Sequence, residues 1–420
     1  MAKKQNVIVA QSGGPTAVIN SSVCGVVQQV INSGAFGTIY GAVNGILGVL
    51  KEELFDISAE KADAIEGLKT TPAAAIGSCR YKLKSLEDSK ADYERILDVF
   101  KAHNIHYFFY AGGNDSMDTA DKVNRLARDS SCELVCMGIP KTIDNDLGFT
   151  DHCPGYGSAA KFVATCSMEA GRDTEALYTA NTCTILEVMG RNTGWIAAAT
   201  GLARRSVEDA PHLIYLPERV FSFEKFVNDV RGVLKEFKRV FIVAGEGLRN
   251  EKGRYITADT GEFAKDSFGH AQLGGVAEIL KAIVEKQVGI KARFNKLGTN
   301  QRCAMHFASL TDRDEAYMCG QAAVKAALDG ENGKMVTLVR QSNKPYKCVT
   351  GLAELADVAI SEKVVPDEYI HPEGNFITAA MLDYVRPLVQ GEVAVPIENG
   401  LPVFMRFEKK LVEKKLPSYM

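Results

Sequence analysis

Pro140-Lys141-Thr142-Ile143-Asp144-Asn145-Asp146 follows an apolar run, 134–139, that reads as a buried strand. Upstream, residues 106–111 form a second such run and open into Gly112-Gly113-Asn114-Asp115-Ser116. Open α/β sheets bind ligands where strand ends turn into helices. One of these turns offers bare backbone amides and a carboxylate. The other offers an ammonium, a hydroxyl and two carboxylates. That inventory suits phosphate together with a divalent metal.

The same pattern recurs along the chain. Residues 7–10 run into Gly13-Gly14-Pro15 and then a helical stretch over 16–31 that stops near Gly34. An amphipathic helix is expected from the second glycine pair to about Arg128. Residues 183–188 run into Met189-Gly190-Arg191, and 240–244 into Gly245-Glu246-Gly247. Short apolar runs alternating with helix-length periodic segments indicate βαβ units and mostly parallel sheets. No repeat of solenoid length is present. The lysine-rich run over 408–415 reads as a solvated helix face.

A chain of 420 residues exceeds what one core usually supports, so two domains are expected. No low-complexity linker divides them, and the two domains are free to exchange segments. A net charge of −3 argues against a broad nucleic-acid surface. The ten cysteines include no CxxC pair, and the seven histidines show no metal-ligand spacing. Reduced thiols in a cytoplasmic protein are the simpler reading. The start lacks a signal-peptide pattern, and no apolar run approaches membrane-spanning length.

Several familiar motifs are absent. No strand-end turn has the spacing G-x-G-x-x-G of dinucleotide folds, and G-x-x-x-x-G-K-S/T does not occur. A calcium loop starting at Asp144 would need glutamate where Gly155 stands. An isolated acidic triplet more often makes Asx turns than a site. The recurrence of phosphate-compatible chemistry at five strand ends weakens that reading.

Taken in order, these segments resemble the phosphofructokinase family, most closely its short pyrophosphate-dependent branch. The resemblance also covers Gln11-Ser12-Gly13-Gly14-Pro15-Thr16, Gly77-Ser78-Cys79-Arg80-Tyr81-Lys82-Leu83, the segment from Asp151 to Lys161, and Leu297-Gly298-Thr299-Asn300-Gln301-Arg302. It implies an α/β phosphofructokinase fold: two three-layer domains with mostly parallel sheets and the active site in the cleft between them. The expected domains are 1–155 with about 301–350 for the phosphate donor, and 156–300 with about 351–420 for the sugar phosphate. The implied reaction is reversible, magnesium-dependent phosphoryl transfer to the 1-hydroxyl of fructose 6-phosphate.

The resemblance assigns roles residue by residue. Asp144 corresponds to the catalytic base and Asp146 to a residue positioning sugar and metal. Gly13, Gly14, Arg80, Gly113, Asp115, Ser116, Lys141 and Thr142 fall on the donor side, with Asp115 as metal ligand. Met189, Gly190, Arg191, Glu246 and Arg302 fall on the sugar-phosphate side, with Arg191 also catalytic. Arg293 corresponds to an arginine lent across a subunit interface, which implies a homodimer or homotetramer.

ATP-using relatives typically read GGDGS and PGTIDND where this chain reads GGNDS and PKTIDND. Asp115 puts bulk and like charge where a nucleotide's α-phosphate would pass, and Lys141 adds a cation for compact pyrophosphate. Pyrophosphate is therefore the expected donor. The alternatives are an ATP-dependent enzyme and a non-catalytic regulatory subunit of the same fold; a lipid or dinucleotide kinase is remoter. Three positions depart from the family pattern. Asn114 replaces a metal-binding aspartate, Thr182 an arginine and Thr299 a histidine. Sedoheptulose 7-phosphate therefore stays open as a substrate, with His270 and His306 as possible compensating groups.

Overall fold

The computed structural model describes residues 4–81, 83–85, 87–258 and 275–419, so Lys82 and His270 lie outside the described residues. Among the described residues, eleven strands build the two main sheets. Seven belong to the first: β1 (Asn6–Gln11), β2 (Ile39–Ala42), β3 (Leu54–Asp56), β4 (Ile105–Gly112), β5 (Val135–Pro140), β10 (Lys334–Asn343) and β11 (Tyr346–Glu354). Their order is β11-β10-β5-β4-β1-β2-β3. Only the pairings β2–β3 and β10–β11 are antiparallel. The second sheet, in the order β7-β8-β6-β9, is parallel throughout; its strands are β6 (Cys183–Val188), β7 (Leu213–Tyr215), β8 (Val240–Gly245) and β9 (Ala292–Lys296).

Side chains alternate across each strand, and here both faces are apolar. In β1, Ile8 and Ala10 enter one core, while Val7 and Val9 enter another. Phe108 and Tyr110 of β4 side with Ile8, and Phe109 and Ala111 with Val7. The helices Lys90–Ala102 and Asn114–Asp129 cover the first face. The helices Ile19–Ser33 and Leu310–Leu328 cover the second. The second sheet repeats the arrangement. Leu186, Val188, Phe241 and Val243 face the helix Tyr156–Ala176, and Ile185 and Ile242 face the helices Phe223–Phe237 and Val276–Ile283. Each sheet is thus the middle of three layers.

The chain crosses between the two sheets more than once. The helix Leu310–Leu328 returns to the first sheet after the second is complete, and it packs directly on Ile19–Ser33. Gly25 and Gly320 permit this approach, because a Cβ on either would overlap the backbone of the opposing helix at Tyr317 and Ser22.

Three expectations need correction. The first helix starts at Ile19 rather than residue 16, because Thr16 Oγ1 accepts from the Ile19 amide at 2.9 Å and caps the turn. The run 408–415 is not a helix. The Glu408 and Lys409 amides bond the Glu60 carboxylate, Val412 N bonds Leu54 O, and Lys415 N bonds Glu52. Those donors are spent on the first domain rather than on a helix of their own. Residues 351–420 accordingly do not all join the second sheet. Leu355 and Val358 pack in the first core, Met381, Tyr384 and Val385 in the second domain's core, and Phe407 returns to the first.

Candidate active site

The acidic turn leaves the end of β5. Lys141 N bonds Gly112 O at 3.1 Å and Thr142 N bonds Pro154 O at 3.2 Å, which sets the turn beside the end of β4. Asn145 takes the left-handed conformation (φ 54°), which asparagine tolerates better than most residues. Its side chain is fully buried; Nδ2 donates to Tyr384 Oη at 2.8 Å, and Oδ1 accepts from Cys153 N at 3.0 Å. Flipping this one residue inward leaves Asp144 and Asp146 half-buried on either side of it. Their main-chain carbonyls are held by distant residues, Asp144 O by Thr193 Oγ1 at 3.0 Å and Asp146 O by Lys363 N at 2.8 Å.

The charges here are strongly perturbed. Burial, then Asp146 and Glu246, push the Asp144 carboxyl above the usual range, against the pull of Arg191 and Lys141. Burial likewise raises Asp146. Glu246 is pushed to about 7, chiefly by burial, with the Gly190 amide, Arg191 and Arg302 acting against it. Lys141 is drawn down to about 8 by burial, with Asp146 and Asp144 opposing. Carboxylates, arginines and a lysine whose fields overlap in this way are typical of a functional cleft.

Of the residues expected on the donor side, Gly13, Gly14 and Arg80 gather around the lysine. Lys141 Nζ donates to Gly14 O at 2.7 Å and lies 3.2 Å from where a Cβ on Gly13 would stand. Gly13 N in turn bonds Cys79 O at 3.0 Å, and Ser78 Oγ bonds Gly13 O at 2.7 Å, which pins the loop carrying Arg80 to the glycine turn. Gly113 caps the helix Asn114–Asp129; Asp115 lies in its first turn and Ser116 N bonds back to Gly113 O at 2.9 Å. Amides and the positive helix end therefore face the same region as the Lys141 ammonium.

The opposite wall comes from the second sheet. Gly190, at φ 132°, donates its amide to Glu246 Oε1 at 3.4 Å. Met189 N bonds Gln301 Oε1 at 3.0 Å. Gly247 lies directly beneath the Arg191 main chain, where any Cβ would overlap its carbonyl. Arg302 reaches across, its Nη1 within 2.9 Å of a Cβ position on Gly14, and its Nε is buried without a hydrogen-bond partner. Arg191, Glu246 and Arg302 are therefore brought into one cleft with Asp144. Arg293 is not. It is exposed in mid-strand on β9, paired with Thr184, away from the strand ends that carry the site. Thr299 and His306 are exposed as well, and Thr182 bonds Tyr178 O at 3.1 Å.

The site also fits a hard divalent cation. Asp146 Oδ1 and Asn114 Oδ1 are buried oxygens without a hydrogen-bond partner, the ligand type such ions prefer. Residues missed by sequence reasoning include Asn145, Thr193, Gln301 and Lys363, which hold the site rather than line it. The left-handed preference of asparagine was a usable signal for the first, and Gln301 lies inside a motif of the resemblance; Thr193 and Lys363 carry none.

Residues 6–327 match the family model described as "Phosphofructokinase". The chain belongs to the phosphofructokinase family. It is 45% identical to the pyrophosphate–fructose 6-phosphate 1-phosphotransferase of Halomonas elongata, over 99% of both chains. It is likewise 45% identical to the protein of that name from Xanthomonas campestris, again over 99% of both. The crystal structure of the pyrophosphate-dependent phosphofructokinase of Marinobacter aquaeolei superposes with a TM-score of 0.90 at 44% identity, covering 99% of each chain. Phosphotransferases of this family generally require a divalent metal. No described helix of this phosphofructokinase is long and apolar enough to cross a membrane.

Proposed function

We propose that this phosphofructokinase transfers a phosphoryl group reversibly from pyrophosphate to the 1-hydroxyl of fructose 6-phosphate, giving fructose 1,6-bisphosphate and phosphate. The observation that carries the donor assignment is the placement of Lys141. Lys141 is 3% exposed and its ammonium bonds Gly14 O, so it lies over the glycine turn, where a compact donor fits better than a long one. Asp115 adds a carboxylate at the first turn of the neighbouring helix. Close relatives carry the same activity in their names.

Asp144 takes the proton of the attacking hydroxyl as the new oxygen–phosphorus bond forms and the bridging bond of pyrophosphate breaks. A raised proton affinity suits a base that must return the proton in the reverse direction. Lys141, Arg80, Thr142, Ser116 and the amides of Gly13, Gly14 and Gly113 hold the donor, and Arg191 neutralises charge on the group in transit. Met189, Gly190, Glu246 and Arg302 hold the sugar phosphate. Magnesium would be held by Asp146 and Asn114, whose buried side-chain oxygens lack hydrogen-bond partners, and would supply charge neutralisation when bound. Arg293, exposed on the edge strand β9, completes the sugar-phosphate pocket of a neighbouring subunit, so the working form is a homodimer or homotetramer. Ten free cysteines fit a reducing cytoplasm.

The test is initial velocity with fructose 6-phosphate and magnesium, supplying pyrophosphate or ATP, read through aldolase-coupled NADH oxidation. Turnover with pyrophosphate alone supports the reading. Turnover with ATP alone overturns the donor assignment, and silence with both favours a regulatory subunit or another sugar phosphate.

A further inference from the structure

Residues 361–365 form a strap behind the acidic turn that the proposed chemistry leaves unused. Lys363 grips the turn from its back. Its amide donates to Asp146 O at 2.8 Å, and its ammonium donates to Asp151 O at 2.7 Å, Thr150 O at 3.2 Å and Asn145 Oδ1 at 3.4 Å. Its carbonyl accepts from Trp195 Nε1 at 2.9 Å. The neighbouring residues turn to the opposite wall. Glu362 Oε1 accepts from Asn192 Nδ2 at 2.8 Å. Val365 N donates to Glu218 Oε1 at 3.0 Å, and the same oxygen accepts from Gly194 N at 2.8 Å.

One short segment is thereby bonded both to the turn bearing Asp144 and Asp146 and to the loop that follows Arg191. We propose that Lys363 is a positioning residue for phosphoryl transfer, acting with Glu218 to lock the acidic turn and the Met189–Gly194 loop into one unit across the cleft. This rests on the reading of Asp144 and Arg191 given above. Alignment of base, hydroxyl and phosphate within fractions of an ångström is worth large rate factors, and a 1 Å displacement costs on the order of 10²-fold. A half-buried lysine that merely satisfies carbonyls would affect stability alone. A lock would affect turnover, and its two ends would not act independently.

The experiment is a double-mutant cycle on the full chain, with Lys363→Met and Glu218→Ala. Each single variant is expected to lower kcat about tenfold, with KM for pyrophosphate within about twofold. The double variant is expected to be no slower than the worse single one. Additive losses in kcat, or a lowered Tm with kcat retained, overturn the proposal. Should Lys363→Met not fold, Asn192→Ala removes the exposed link to Glu362. It should lower kcat about threefold alone and not at all on the Glu218→Ala background; equal losses on both backgrounds overturn the lock. Should the unaltered protein fail to use pyrophosphate, the functional reading falls separately. Amide hydrogen exchange then decides the strap: Lys363→Met, or Asn192→Ala in its place, should speed exchange in peptides covering both 142–147 and 189–194. Unchanged exchange over 189–194 overturns it.

Discussion

Lys141 Nζ donates to the carbonyl oxygen of Gly14 at 2.7 Å, tying the turn after β5 to the turn after β1. Lys141 is nearly buried, and Asp144 and Asp146 favour its charged form against the cost of burial. Removing it with Lys141→Met should lower kcat/KM for pyrophosphate by about 10²–10³, the usual loss for one preorganised donor to a reacting group. Initial rates at varied pyrophosphate check this, and a loss below threefold would place the donor elsewhere.

Donor choice follows from the same contact. Clearing the path with Lys141→Gly and Asp115→Gly together should raise ATP-dependent turnover by about tenfold or more, since bulk and a like charge are both removed. Pyrophosphate use should fall in parallel. Unchanged ATP use would sink the steric argument for Asp115.

Asp144 lends itself to a paired test of activity and stability. Its folded proton affinity is raised above the ordinary aspartate value, so the folded state binds the proton more tightly than the unfolded chain does. Stability from this group is therefore lost as pH rises from the ordinary range through the raised one. Asp144→Asn carries no such penalty and should raise Tm at pH 8, while turnover falls by about 10³-fold. Calorimetry and the coupled assay read the two effects, and a lowered Tm would contradict the electrostatic account.

Two glycines should respond differently to alanine. At Gly14 the new methyl would meet the flexible end of Arg302 at 2.9 Å, so the guanidinium moves and the fold does not. Gly14→Ala should raise KM for fructose 6-phosphate about tenfold, with stability changed by roughly 0.5 kcal/mol or less. Gly155 sits at φ 110° with Thr16 Cγ2 at 2.8 Å from the Cβ position. Gly155→Ala should cost about 1–3 kcal/mol in urea unfolding.

Metal dependence should centre on Asp146 and Asn114, whose buried side-chain oxygens lack hydrogen-bond partners. Chelation should abolish turnover, and magnesium should restore it. Asn114→Asp supplies a stronger ligand and should lower the magnesium needed for half-maximal rate several-fold. No change on titration would remove position 114 from the metal's surroundings.

The three-layer sheets were readable along the chain because their cause is local. Consecutive apolar residues such as 7–10 and 106–111 must be covered on both faces. The glycine and acidic turns were readable for a similar reason, since their backbone geometry and functional groups lie within a few residues. The lysine-rich run over 408–415 was misread because its amides bond Glu60, Leu54 and Glu52, partners that no local pattern announces. The support of the acidic turn was equally hidden. Thr193 lies 49 positions from Asp144, Lys363 218 from Asn145, and Tyr384 239 from Asn145. Sequence alone determined which residues could do phosphoryl chemistry and where strands would present them. Only the tertiary structure decided how two sheets and the returning C-terminal segments meet around those residues, because a hydrogen bond between distant positions exists only once the chain between them has folded.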